Sequence, residues 1–288
     1  MNVTTRPTPR SYSFLAWLIV PMLLTWLGTN YIYGSFAAQP VWAQNTEPSN
    51  SVPTPVETVF PQIERGATGI VTLWFDDAWI SQYMVAAPLL HEAHMTAAIA
   101  VPTSFIGYDN FANWAQIRQL QKDGWEITNH SVVHDCTMET WTPEKLQLEF
   151  KKSSEELWKQ HLPSNHFVSP CGTNSPELNR IVQKNFLTFR GTEPGYNDLT
   201  QLDPYDLRVR NITNTTTVAE VKKWLEDAKK QNLWVILVFH QIGTVDEGKG
   251  ETYSMTTENF RQVVDYIQSS KMQIAVPSQV LSLRISNE

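Results

Sequence analysis

The chain is expected to be an α/β protein built on a parallel sheet, and three observations carry that expectation. Over residues 63–288, apolar runs of strand length alternate with amphipathic segments of helix length. The run Trp234-Val-Ile-Leu-Val-Phe239 is apolar on both faces, as a parallel strand covered by helices must be. Three polar clusters stand at the carboxyl ends of such runs, where the loops of an α/β barrel gather. Repeated β-α units fit either a closed barrel or a doubly wound open sheet.

The amino-terminal 43 residues read as a targeting segment. Arg6 and Arg10 precede an apolar run from Phe14 to Leu27, and small residues follow at Ala37, Ala38 and Ala43. Cleavage after Ala43 makes this a signal peptide. The apolar stretch to Tyr33 is also about 20 residues long, enough for an uncleaved anchor. Either way the chain is expected to be exported, to a periplasmic, extracellular or outward-facing anchored location, with the membrane touched only through this segment if it is retained. Residues 44–62 hold Pro48, Pro53, Pro55 and Pro61 among Ser, Thr and Asn, a composition suited to an extended linker. The folded domain is expected over residues 63–288.

Within that domain strands are expected at residues 69–75, 96–101, 125–130, 166–170, 187–190, 234–240 and 272–276. Helix starts are marked between them. Thr142-Pro143-Glu144 and Ser175-Pro176-Glu177 each place a capping residue before a first-turn proline. Thr217 and Glu220 form a capping box that opens a helix reaching about Gln231.

Composition narrows the function. A formal net charge of -7, more acidic still without Arg6 and Arg10, argues against a nucleic-acid partner. The chain has no GxGxxG or GxxxxGK[ST] loop to cradle phosphates. Its two cysteines, Cys136 and Cys171, lack CxxC spacing and could pair in an oxidising compartment.

The first polar cluster is Phe75-Asp76-Asp77, in which strand alternation should point the two carboxylates in different directions, leaving one for a cation and one for a proton. The second runs from Asn129 through His130 and Ser131 to His134; imidazoles four residues apart share one side of a helical turn, which Ser131 would help to start. One carboxylate and two imidazoles leave room for water and substrate, as at a catalytic metal. The third is Val238-Phe239-His240, a histidine closing the most apolar strand. His91 and His94 have a similar spacing in an expected helix and are read as an incidental surface pair. Trp74, Trp79, Trp114 and Trp141 are candidates for stacking on sugar rings.

Taken together, these motifs resemble the polysaccharide deacetylases with a NodB-type domain, carbohydrate esterase family 4, over roughly residues 69–280. The resemblance implies a distorted (β/α) barrel of about seven parallel strands and a polysaccharide substrate. It assigns Asp77, His130 and His134 to the metal, Asp76 to the general base and His240 to the general acid. Zinc suits that ligand set, and cobalt or nickel would accept it. The family's Arg-x-Pro-aromatic-Gly motif aligns with Val168-Ser169-Pro170-Cys171-Gly172, without the arginine and the aromatic residue. Pro170 and the Cys171 amide would then line the oxyanion site, and Arg190 is the candidate substitute for the arginine. Asp203-Pro204-Tyr205-Asp206-Leu207 partly matches a further motif, making Asp206 a candidate for orienting His240.

The activity implied is metal-dependent removal of acetyl groups from N-acetylated amino sugars of an extracytoplasmic polysaccharide. O-acetyl hydrolysis and silent glycan binding are the alternatives.

Overall fold

The computed structural model describes residues 69–243 and 252–285. The expected leader and linker therefore lie outside the described residues. Seven parallel strands form a ring: β1 (Ile70–Phe75), β2 (Ala98–Val101), β3 (Glu126–Asn129), β4 (His166–Val168), β5 (Thr188–Pro194), β6 (Leu207–Asn211) and β7 (Trp234–Phe239). β7 closes it, pairing with β1 along its whole length from Ile70↔Trp234 to Phe75↔Phe239. The closed, distorted (β/α) barrel is thus the expected fold, and the doubly wound sheet is excluded.

Two details depart from the expected strand set. β6 carries the sequence Leu207-Arg-Val-Arg-Asn211, whose interleaved arginines hide a strand from a search for apolar runs, yet it bridges β5 and β7. The expected strand at 272–276 shrinks to β8 (Gln273–Ile274), which stays outside the ring. It pairs with the amino-terminal half of β1 at Ile70 and Val71, while β2 takes the carboxyl-terminal half at Trp74 and Phe75. Splitting one edge of β1 between two strands distorts the barrel.

The helices are α1 (Ala87–Glu92), α2 (Trp114–Lys122), α3 (Pro143–Lys159), α4 (Pro176–Asn185), α5 (Val218–Gln231), α6 (Thr257–Ser270) and α7 (Pro277–Ile285). The marked starts are where the capping residues put them. Thr142 accepts from the Lys145 N–H at 3.4 Å, Ser175 from Leu178 at 3.1 Å, and Thr217 and Glu220 cap one another reciprocally at 3.2 and 2.8 Å. Such caps satisfy first-turn N–H groups that have no partner inside the helix.

Strand alternation sorts the core into two layers. Val71, Leu73, Phe75, Ile99, Val101, Val235, Leu237 and Phe239 face outward, in one cluster with Leu90, Ile117, Leu225 and Phe260 of the surrounding helices. Ile70, Trp74, Ala98, Ala100, Val209, Trp234, Ile236 and Val238 fill the barrel interior. Each large side chain so buried contributes about 1.5–3 kcal/mol. The buried indoles keep partners, Trp74 Nε1 donating to Thr128 Oγ1 at 3.1 Å and Trp234 Nε1 to Thr72 Oγ1 at 2.9 Å.

At the amino end of the strands, Glu126 accepts from the Ser278 N–H at 2.9 Å and lies 3.0 Å from His166 Nε2, fastening α7 beneath the barrel. None of the described helices is long and apolar enough to cross a membrane.

Candidate metal centre

The inward register of the strands continues past their carboxyl ends. Asp76 follows Trp74 on β1, His130 follows Thr128 on β3, His240 follows Val238 on β7, and Arg190, the third residue of β5, is paired with Val168 at the carboxyl end of β4. Their side chains therefore converge on the mouth of the barrel, above the plug formed by Trp74.

Asp77 arrives there by a different route from the one alternation suggests. β1 ends at Phe75, and Asp77 and Ala78 have φ of 74° and 58°, left-handed values that cost a non-glycine residue about 1–3 kcal/mol. The turn is held by the Ala112 N–H donating to Ala78 O at 2.8 Å and the Ile80 N–H to Asn110 O at 2.8 Å. Reversal of the backbone, rather than the strand pleat, separates the two carboxylates. Asp77 Oδ1 then lies 3.3 Å from His130 Nε2 and 3.3 Å from His134 Nε2. Oδ2 accepts from Trp79 Nε1 at 3.1 Å.

The segment from His130 to His134 is a loop, which corrects the expected helical turn. Ser131 has φ of 66°, its N–H is taken by Asn129 Oδ1 at 2.9 Å, and Glu149 Oε1 accepts from both Val132 and Val133 N–H at 2.8 Å. Side-chain acceptors thus satisfy the Ser131, Val132 and Val133 amides without a helical turn, and the two rings still meet, with centroids 4.9 Å apart.

His130 Nδ1 lies 2.7 Å from Val168 O. A carbonyl only accepts, so Nδ1 carries a proton, and in the neutral, ligand-competent ring Nε2 then presents a lone pair. Asp77 Oδ1 is buried with no hydrogen-bond partner. Three acceptor atoms, from Asp77, His130 and His134, thus lie within 4.8 Å of one another, a spacing that can hold a metal ion. Burial raises the Asp77 pKa, but the adjacent His130 imidazole, followed by the charges of His240 and His134, outweighs it and holds the carboxyl below its ordinary range in the metal-free protein. Burial, followed by the charge of His130, lowers His134 and favours its neutral, ligand-competent form.

Asp76 is turned away from this group. Its Oδ1 accepts from Arg190 Nη2, both side chains being buried, and its Oδ2 is 3.9 Å from His240 Nε2, too far for a direct hydrogen bond. His240 packs against Tyr253, with ring centroids 4.9 Å apart. The Pro170–Gly172 turn follows β4, with Cys171 at φ 54°, and Cys171 is joined to Cys136 by a disulfide.

Asp206 requires a correction. It lies at the amino-terminal end of β6 and pairs with Arg208 Nη2 at 2.5 Å, whereas His240 follows the carboxyl end of β7, at the opposite end of the barrel. Short-range spacing gave no warning, because a motif placed one strand length away points at the other face. The tryptophans also divide. Trp74 is fully buried, Trp114 packs on the outer core, Trp141 lies under Lys145 Nζ at 3.3 Å, and only Trp79 reaches the centre, stacked on Phe111 at 4.5 Å. His91 and His94 are exposed, as expected.

Two contributors had no sequence signature. Gln82, wholly buried, donates from Nε2 to Asp76 O at 2.5 Å and His240 O at 2.9 Å, tying the first cluster to the third. Glu149 shapes the His130 loop from α3. A lone Gln or Glu in an amphipathic helix carries no motif.

A closed parallel barrel with a carboxylate and two imidazoles converging at its carboxyl mouth, beside a second carboxylate and a third imidazole, defines a (β/α)-barrel protein with a candidate metal centre. The family model described as polysaccharide deacetylase matches residues 64–189, a stretch that ends just before Arg190. The putative polysaccharide deacetylase YxkH of Bacillus subtilis (strain 168) is 23% identical over 162 residues, which are 56% of this chain and 58% of that protein. Among solved structures, the Xyl-CE4 domain of a multidomain xylanase from the hindgut metagenome of Trinervitermes trinervoides is similar with a TM-score of 0.55 and 13% identity, over 75% of this chain and 91% of that one. A family 4 acetyl xylan esterase from Clostridium thermocellum, in complex with a cobalt ion, is similar with a TM-score of 0.54 and 17% identity, over 74% and 91%. The Streptococcus pyogenes deacetylase PplD, in complex with acetate, has a TM-score of 0.52 and 23% identity, over 56% and 73%. At these identities the structural likeness is one of fold.

Proposed function

We propose that the protein is a metal-dependent deacetylase that removes acetyl groups from N-acetylated amino sugars of an extracytoplasmic polysaccharide. The observation that carries this reading is the buried, unpartnered Asp77 Oδ1 at 3.3 Å from the Nε2 atoms of both His130 and His134. With the His130 proton committed to Val168 O, carboxylate and imidazole present lone pairs to one another, and a cation between them removes the conflict. Zinc is the first choice for two imidazoles and a carboxylate, with cobalt or nickel as alternatives.

A divalent cation held by Asp77, His130 and His134 supplies Lewis acidity toward a carbonyl oxygen and acidifies water. The remaining chemistry falls to the chain. Asp76, fixed by Arg190, takes the proton of the attacking water. The Cys171 amide, on the turn after β4, is assigned to the charge that develops on the acetyl oxygen. His240, 3.9 Å from Asp76 Oδ2, hands a proton to the departing sugar amine, so base and acid stand on one site without sharing a proton. Water adds to the amide, and acetate and a free amine leave.

Export is part of the proposal. The Cys136–Cys171 disulfide suits an oxidising compartment, and the amino-terminal apolar segment supplies a route. The test is acetate release from a panel of N-acetylated and O-acetylated glycans, with and without chelator. Release from N-acetyl substrates, abolished by chelator and restored by zinc or cobalt, is the expected result. Release that ignores the chelator overturns the metal, release from O-acetyl substrates alone overturns the substrate class, and tight glycan binding without release overturns the enzyme.

A further inference from the structure

The two imidazoles of the candidate centre are held in different ways. His130 has a side-chain exposure of 2% and a 2.7 Å bond from Nδ1 to Val168 O. His134 has a side-chain exposure of 21%, and its Nδ1 faces Cys171 Sγ at 4.0 Å. Sulfur is a weak acceptor, so that contact orients the ring mainly as a wall. The opposite wall is Phe105, with ring centroids 5.9 Å apart. The sulfur belongs to the disulfide that ties Cys136, two residues beyond His134, to Cys171, whose Cα is 5.2 Å away and whose residue sits on the turn after β4. One covalent link thus spans the loop carrying a ligand and the turn carrying the oxyanion amide.

We propose that the Cys136–Cys171 disulfide is a positioning element of the candidate centre, setting the His134 imidazole and the Cys171 amide relative to one another, so that opening it weakens cation binding and turnover while the barrel stays folded. This rests on the deacetylase reading above. The disulfide joins two exposed residues outside every core cluster, so the packed core does not run through it. Both cysteines are therefore accessible to reductant. A trialkylphosphine takes up the oxygen of one water to become the phosphine oxide, and its two electrons with the water's two protons convert the disulfide to two thiols.

Cobalt(II) affinity is measured by equilibrium dialysis on the oxidised protein, on the phosphine-reduced protein and on the Cys136→Ala/Cys171→Ala variant, alongside thermal unfolding and steady-state acetate release. Orienting partners of metal ligands typically affect affinity by about 10–100-fold, and that weakening is expected in the variant with cooperative unfolding preserved. A fall in kcat larger than any change in KM, and recovery of the reduced protein on reoxidation, complete the expected result. A variant with undiminished cobalt affinity and kcat overturns the inference and leaves the deacetylase reading standing. If the oxidised protein itself takes up neither cobalt nor zinc, both fall. Should the variant fail to fold, the reduced protein, which keeps every side chain, is judged by the same criteria.

Discussion

Arg190 Nη2 donates to Asp76 Oδ1 across 114 residues of sequence, and both side chains are buried. β5 carries the guanidinium and β1 the carboxylate, on opposite sides of the barrel mouth, so the pair exists only once the ring has closed. Arg190 also lies 5.0 Å from the centre of the Trp74 ring, which adds a cation-π contact beneath the site.

Removing one partner of such a pair leaves the other charge buried and uncompensated, which typically costs about 3–5 kcal/mol. Arg190→Met should therefore lower stability in urea by that order and reduce acetate release sharply. Combining it with Asp76→Asn should recover part of the stability and none of the activity. A single Arg190→Met protein with full stability and turnover would show that the pair holds nothing in place.

Asp76 and Asp77 should separate experimentally although they are adjacent. Asp77→Ala should lose bound metal, because it removes the carboxylate that approaches both imidazoles. Asp76→Asn should keep metal while turnover drops by about 10²–10⁴-fold, the usual contribution of a positioned base. Metal analysis beside acetate release reads both outcomes, and an active Asp76→Asn protein contradicts the assignment of the base.

The metal-free protein should lose stability as pH falls, in two windows. His134 is held below the ordinary imidazole value of 6.5 by burial and by the charge of His130. Beneath 6.5 the unfolded chain binds a proton that the folded chain refuses, so stability is full above that value and is lost as pH falls below it. Asp77 is held below its ordinary 3.8 despite burial, by His130 and the neighbouring imidazole charges. Its contribution is full above 3.8 and disappears as pH falls through the lower folded value. Urea unfolding of the apo protein at a series of pH values should show a positive slope below 6.5 that His134→Gln flattens; an unchanged slope assigns that window to another group.

Gly172 should tolerate no side chain. It has φ of 70°, and a Cβ there would overlap the Thr192 side chain, with its Cγ2 at 2.7 Å and its Cβ at 2.8 Å. Gly172→Ala should therefore displace the Pro170–Gly172 turn and the Cys171 amide, lowering kcat by about 10-fold or more if that amide supports the oxyanion. Metal content should be unchanged, and Thr192→Ala in the same chain should recover part of the activity. Loss of metal instead would place the turn's effect on His134.

What could be read along the chain was what short-range physics controls. The capping residues Thr142, Ser175 and Thr217 act on an N–H three residues away, and each starts its helix as expected. Apolar runs ending in Asp76, His130 and His240 were legible because a strand's exit from the core is a local change of polarity. Tertiary structure decided the rest. β6, with its arginines, became a strand because β5 and β7 offered it backbone partners on both sides. Asp206 was carried to the wrong end of the barrel and Arg190 to the right one, since strand direction and ring closure, not distance along the chain, place a side chain at the mouth. The reversed backbone at Asp77, the loop between His130 and His134, and the Cys136–Cys171 link depend on partners supplied from Asn110, Glu149 and the turn after β4. Such partners meet only after folding, which is why residue identity names the chemistry while the closed barrel sets its geometry.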